Sequence, residues 1–370
     1  MALSRGTNPL WRTAVLALLV SACASGGAGT GDTSTATPSN LKDGYTDKFS
    51  YIQGEEVTLY LNFTEHGTGM VRLYDVTGRQ VDFISVVTSS QTAQGEAPWR
   101  DGFGYQPSGV YTVASFLRSG VYSWENEVPF IVKAPAGNSD IIVLCPSNTE
   151  AAYNAMGGRS FYTVDKASTV SFKRPSADPI PKFWMPFVEW LTSSTDYNVG
   201  YICDFDMEDY ESISSAKLLI IIGHSEYWTR QARNNLDVFV ASGKPVLILS
   251  GNTMWWHLNL PKGYVISMPS LEYDGTLLSG FDSDGYPIVD EQALGFYRAE
   301  IIGYDLGARG TDQTVGTWIA LQKTPTSGVV INGASTNWCS FSGIGGKDGE
   351  TVKKVIVNMI DALLAGSYVF

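Results

Sequence analysis

Four short, almost wholly apolar runs constrain this chain more than any other feature. They are Asp140-Ile141-Ile142-Val143-Leu144-Cys145-Pro146, Tyr197 to Cys203, Leu218-Leu219-Ile220-Ile221-Ile222 and Pro245 to Ser250. A strand with one wet face alternates polar and apolar residues. A run that is apolar throughout has to be covered on both faces, as in a parallel sheet held between helices. The intervening stretches supply those helices, roughly at 182–192, 206–215 and 229–242. In the last of them Ala232, Leu236, Phe239 and Val240 recur at helical spacing, and Ser242-Gly243 closes the segment. This β-α-β-α-β alternation predicts an α/β class, a doubly wound, mostly parallel sheet. Residues 263–345 are mixed and Gly-rich, with a late strand at Gly328-Val329-Val330-Ile331-Asn332-Gly333. A final amphipathic helix over 350–364 (Val352, Val355, Ile356, Met359, Ile360, Leu363) closes an α/β domain covering 139–370.

Upstream the period changes to two. Glu56 to Phe63 and Gly69 to Val76 alternate, and shorter runs follow at Val81 to Val87, Gly109 to Phe116 and Tyr122 to Val132. Strands at this spacing, broken by Gly, Ser and Pro, predict an all-β sandwich of immunoglobulin-like type over 45–134. Its role is taken as packing. A sugar-binding role would need exposed aromatics, for which Trp99 and Trp124 are the candidates. Lys133-Ala134-Pro135-Ala136-Gly137-Asn138 links the two regions.

The first residues predict export. Arg5 and Arg12 precede the apolar stretch Ala14 to Val20, and Val20-Ser21-Ala22-Cys23 follows. The stretch is too short to span a bilayer and has the order of a signal peptide. Small residues followed at once by Cys23 resemble a lipobox, with Cys23 lipidated. An ordinary secretory signal is the alternative. Ala24 after Cys23 favours an outer-membrane or cell-surface anchor. Residues 24–44, rich in Gly, Ser and Thr, read as a flexible tether. Cys145, Cys203 and Cys339 are too few for a disulfide framework. Cys145 and Cys203 each end an apolar run, so either one disulfide or two buried thiols is expected. A formal net charge of -12 excludes the basic face that nucleic-acid binding requires.

Gly223-His224-Ser225-Glu226-Tyr227-Trp228 directly follows the third apolar run. Ligands of open α/β sheets bind beyond the carboxyl ends of the strands, so this loop is the first candidate site. Three uses fit its residue types. Ser225 sits in a partial nucleophile elbow, but Tyr227 stands where a small residue is needed, and His257 is the conceivable base among only 3 His. Glu226 and Tyr227 are hard oxygen donors suited to iron(III). The loop also reads as a purely structural helix start. There is no His/Cys spacing for zinc, no phosphate-binding loop and no dinucleotide fingerprint. Asp282-Ser283-Asp284-Gly285 is a solvated turn rather than a calcium loop.

Several motifs fall in one order. They are Ala152-Tyr153-Asn154-Ala155-Met156-Gly157-Gly158-Arg159-Ser160-Phe161-Tyr162, Val170-Ser171-Phe172-Lys173-Arg174-Pro175, Trp190-Leu191 with Tyr197-Asn198-Val199-Gly200-Tyr201, Gly223 to Trp228, Leu249-Ser250-Gly251-Asn252 with Trp255-Trp256, and Gly328 to Trp338. Over about 140–345 this resembles the C-terminal domain of the N,N-dimethylformamidase large (beta) subunit family, and the upstream β region resembles the module preceding it. The resemblance implies a three-layer, glutamine-amidotransferase-like fold and a mononuclear iron held by two tyrosines and a glutamate, activating water against a small amide. It implies Tyr227 as one ligand, Tyr197 (or Tyr201) as the second, and Glu300 (or Asp305) as the carboxylate. His224, Glu226 and Asn252 would assist. A small subunit or a homo-oligomer is the implied assembly. The leading expectation is thus an extracytoplasmic amide C–N hydrolase. The rival is a non-catalytic surface lipoprotein holding a glycan or polymer on Trp255 and Trp256; the third is a serine hydrolase using Ser225.

Overall fold

The computed structural model describes residues 40–178, 181, 183–259, 265–272, 280–281, 287–288, 295–309 and 312–368, with only the backbone described for the strand residues among 257–288 and 304–317. Cys23, most of the 24–44 tether and the Asp282–Gly285 turn lie outside the described residues.

A seven-stranded sheet forms the centre, in the spatial order Val199–Cys203, Ile141–Cys145, Leu218–Gly223, Val246–Ser250, Val329–Asn332, Asp312–Gln322, Arg298–Arg309. The first five are mutually parallel and the last two add an antiparallel hairpin. Side-chain alternation explains why the apolar runs are unbroken. Ile141, Val143, Leu218, Ile220 and Ile222 point into one core with Phe187 and Leu191 of helix Met185–Ser194 and Ile356 and Ile360 of helix Gly349–Leu364. Ile142, Leu144, Leu219 and Ile221 point into a second core with Leu236 and Phe239 of helix Arg230–Ala241. Each fully buried side chain of this kind contributes about 1.5–3 kcal/mol. Two helical layers on a mostly parallel sheet are what the sequence pattern requires. The mixed segment resolves into the edge hairpin, and 206–215 forms a 3-10 turn at Asp206–Glu208 and one short helix at Glu211–Ser214.

The N-terminal region is strand-rich. A three-stranded sheet (Leu41–Thr46, Glu56–Phe63, Gly109–Thr112) and a five-stranded sheet (Ser50–Tyr51, Val128–Val132, Gly120–Trp124, Gly67–Asp75, Gln80–Thr88) share one core. Its first strand starts at Leu41, so the expected tether ends earlier than 44. The run Tyr122 to Val132 is two strands, because Glu125 (φ 50°) and Asn126 (φ 60°) make the positive-φ turn that reverses a hairpin. Trp124 is fully buried, with Tyr111 edge-on at 5.0 Å. Trp99 is covered by the Arg159 guanidinium at 4.8 Å. Neither tryptophan offers a stacking platform.

This region also closes the open edge of the central sheet. Val121 and Ile131 enter the same core as Ile141 and Leu191. On the edge strand, the Tyr201 amide donates to Ser119 Oγ (2.9 Å) and the Cys203 amide to Asp206 Oδ2 (2.9 Å). Cys145 and Cys203 are register partners on neighbouring parallel strands, and both are free buried thiols whose pKa burial raises. Among the described residues no helix is long and apolar enough to cross a membrane.

Candidate active site

Strand order places the site. The chain leaves Ile141–Cys145 toward Val199–Cys203 on one side and later adds Leu218–Gly223 on the other. The crevice between the carboxyl ends of Ile141–Cys145 and Leu218–Gly223 is therefore the topological switch point, where ligands of such sheets bind. Two loops meet there: helix Ser147–Tyr153 with its continuation to Tyr162, and the loop His224–Tyr227.

The second loop is held rigidly. Gly223 has φ +73°, and a Cβ there would meet the Trp184 side chain at 3.1 Å, so only glycine makes this exit from the strand. The Ser225 amide donates to Ser250 Oγ (2.8 Å) and the Glu226 amide to Thr149 Oγ1 (2.9 Å). Asn148 Nδ2 donates to the Tyr227 carbonyl (3.2 Å). From the other side, Met254 and Trp256 amides donate to the carbonyls of Ser225 and Glu226 (2.9 Å each).

This framework puts Glu226 at the centre of a polar cluster, with only 4% of the residue exposed. Its Oε2 accepts from Tyr153 Oη (2.9 Å) and lies 3.3 Å from His224 Nε2. Its Oε1 accepts from Trp256 Nε1 (2.9 Å) and Tyr162 Oη (3.2 Å). Tyr162 Oη also bonds Tyr227 Oη at 2.5 Å. The rings of Tyr153 and Tyr162 stack at 3.9 Å and remain 40% and 44% exposed, so the cluster opens to solvent on their side. Burial, then the neighbouring phenols and the Glu226 charge, push Tyr153 and Tyr227 well above the ordinary phenol value. Tyr162 is raised too, chiefly by burial. Burial lowers the His224 pKa, against the opposing pull of Glu226, so the imidazole is neutral near pH 7.

The structure thus brings His224, Glu226 and Tyr227 together, but with Tyr153 and Tyr162 rather than the expected partners. Tyr197 precedes its strand, at the amino end of the sheet, and its hydroxyl donates to Asp361 (2.6 Å). Tyr201 is buried in mid-strand against Thr192 (2.8 Å). Glu300 is exposed on the outermost strand of the hairpin, with three strands between it and Leu218–Gly223. The Asp305 and His257 side chains lie outside the described residues. Asn252 (φ 49°) is exposed in the loop that zips onto Ser225 and Glu226, and no hydrogen bond joins its side chain to the cluster. Ser225 is buried and its Oγ accepts from Trp228 Nε1 (2.9 Å), and among the described residues no imidazole bonds to it. Trp256 is committed to Glu226, which leaves Trp255 alone as the exposed member of the expected glycan pair.

Among the described residues, no group of three or more His, Cys, Asp or Glu has the arrangement of a metal site. The oxygen set here is phenolic plus one carboxylate, a donor type that suits a hard trivalent cation. Searching curated proteins gives no match. The sequence does match a family profile, N,N-dimethylformamidase beta subunit-like, C-terminal, over residues 76–367. The matched span begins inside the strand-rich region, just after strand Gly67–Asp75, and runs to the end of the α/β body. Covering well over half of the 370 residues, it shows that the chain belongs to the N,N-dimethylformamidase beta subunit-like family, a broadly amidohydrolase-related group.

Proposed function

We propose that the chain is an amide C–N hydrolase whose Tyr153, Tyr162 and Glu226 hold an iron ion, with Tyr227 supporting Tyr162. The observation that carries this reading is the convergence of two phenols, an indole and an imidazole on the single carboxylate of Glu226, beside a third phenol. The donor set fits. Three phenols crowded around a carboxylate hold their protons far above neutral pH, and a hard trivalent cation is the kind of group that replaces such protons with favourable oxygen contacts. When bound, iron supplies Lewis acidity toward water or an amide carbonyl.

The chain's own groups do the rest. Trp256 Nε1 and Tyr153 fix the orientation of the Glu226 carboxylate. The neutral His224 imidazole, its Nε2 3.3 Å from Glu226, is suited to take a proton from water and return it to the departing amine. The exposed faces of Tyr153 and Tyr162 form the entrance. We further read the body as glutamine-amidotransferase-like and the strand-rich region as immunoglobulin-like, on the sheet order and the two-sheet core, and the N-terminus as a lipid anchor at Cys23 outside the cytoplasm.

The test is iron(III) titration of the protein from residue 40 onward, followed by its tyrosinate charge-transfer band. Near-stoichiometric binding is expected. Glu226→Gln is expected to abolish it, and Tyr227→Phe to weaken it by about 10–100-fold, as for a group that supports a ligand. A wild-type protein without the band at excess iron would refute the metal reading, and a screen of small amides without turnover by loaded protein would refute the activity.

A further inference from the structure

Arg174 is 3% exposed and makes four hydrogen bonds, all to backbone carbonyl oxygens. Nε donates to Ser171 (2.7 Å), Nη1 to Met156 (2.8 Å) and Arg159 (3.1 Å), and Nη2 to Ala151 (2.8 Å). No carboxylate among the described residues pairs with it. Burial alone lowers its pKa, to about 10, so it remains a cation at neutral pH. An ion buried without a counter-ion is costly, and the return has to come from what its hydrogen bonds organise.

What they organise is the segment that carries both tyrosines at the mouth of the cluster. Ala151 lies two residues before Tyr153, and Met156 and Arg159 lie in the connection from Tyr153 to Tyr162. Asn154 Nδ2 adds a bond to the Pro175 carbonyl (2.8 Å), again tying this segment to the Arg174 turn. Gly157 (φ +86°) presses the same segment against the backbone of Trp99, where a Cβ would approach to 2.9 Å. A planar guanidinium reaches the carbonyls of Ala151, Met156, Arg159 and Ser171 at once; an ammonium, with its donors on one nitrogen, does not.

We propose that Arg174 is a positioning residue that sets the separation and stacking of the Tyr153 and Tyr162 hydroxyl-bearing rings. This rests on those tyrosines being the metal-holding pair proposed above, but the geometry it controls exists without metal. It gives the Val170–Pro175 motif a role in the site although none of its side chains touches Glu226.

The test compares wild type, Arg174→Lys and Asn154→Ala, each labelled with 3-fluorotyrosine. In metal-free protein, Arg174→Lys is expected to speed amide hydrogen exchange over 154–162 by tenfold or more, to leave exchange in Leu218–Gly223 unchanged, and to shift the fluorine resonances of Tyr153 and Tyr162. Iron(III) affinity should fall at least tenfold. Asn154→Ala should move the same resonances with a smaller change in exchange, and it carries the test if Arg174→Lys does not fold. Unchanged fluorine shifts in a variant with faster exchange would reduce Arg174 to a loop fastener, and unchanged exchange and shifts together would overturn the proposal outright. If wild type binds no iron(III), the metal reading fails alone, and the fluorine shifts still decide whether Arg174 positions the rings.

Discussion

Replacing Asp206 by alanine is expected to destabilise the protein by about 3–5 kcal/mol, the cost of removing one partner from a buried ion pair. Asp206 Oδ1 accepts from Lys133 Nζ (2.7 Å) and Ser50 Oγ (3.0 Å), and Oδ2 from the Cys203 amide (2.9 Å). The Asp206 side chain is 7% exposed and that of Lys133 25%. Burial by itself would lower the Lys133 pKa, but Asp206 outweighs it and the net direction is up. Without Asp206, Lys133 is left a half-buried cation with no partner at its Nζ, and Ser50 and the Cys203 amide lose their acceptor. The effect is larger than for a surface pair because water replaces none of these contacts well. Urea unfolding of the full chain measures it. A loss below about 1 kcal/mol would show the pair to be screened like a surface one. The double variant Lys133→Met, Asp206→Leu should recover part of the loss, since apolar replacement of both partners removes the stranded charge.

Unfolding free energy should fall steadily as pH rises from about 5 to 8. Two carboxyls cause this. Burial pushes Glu150 from the usual 4.5 up to about 8, against the Trp184 indole bond that pulls it down. Burial pushes Asp204 from 3.8 up to about 7, against bonds from the Asn148 amide and Ser147 hydroxyl. Both folded values are raised. Above the ordinary carboxylate range the unfolded chain has released these protons while the folded one keeps them. Their contribution is therefore complete below about pH 4 and is lost as pH climbs through 7 for Asp204 and 8 for Glu150. Each group gives a slope of up to about 1.4 kcal/mol per pH unit in that window. Glu150→Gln should flatten the profile by roughly half, with Asp204→Asn removing most of the remainder. Chemical denaturation at pH 5, 6.5 and 8 is the measurement, and a level wild-type profile would contradict it. The same window bears on the site, since Asn148, whose amide donates to Asp204, and Thr149, next to Glu150 in the chain, hold the Tyr227 carbonyl and Glu226 amide.

The sheet was legible in the sequence because burial on both faces leaves an unmistakable apolar run, and Leu218–Ile222 then pointed at the loop behind it. His224, Glu226 and Tyr227 followed directly. Their partners did not, because contacts across a sheet depend on strand order, which a one-dimensional pattern does not contain. Strand direction did contain part of the answer. Tyr197 stands before Val199–Cys203, at the amino end, whereas ligands gather at carboxyl ends. Tyr153 and Tyr162 follow the first apolar run, beyond its carboxyl end. Glu300 was misplaced for another reason: the Gly-rich region folds into a long hairpin that extends the sheet away from the crevice. The carboxylate that gathers the phenols is Glu226, and its adjacency to Tyr227 in the sequence hid that position.

The strand Val199–Cys203 is the outer parallel strand of the central sheet, and the strand-rich region covers it with Ser119, Val121 and Ile131. Detached from that cover, the α/β body would keep the Cys203 amide tied to Asp206 but free the Tyr201 amide and bare the apolar flank of this strand, a template on which another copy can add a strand. A body expressed from residue 139 alone is therefore expected to collect in aggregates rather than as monomer.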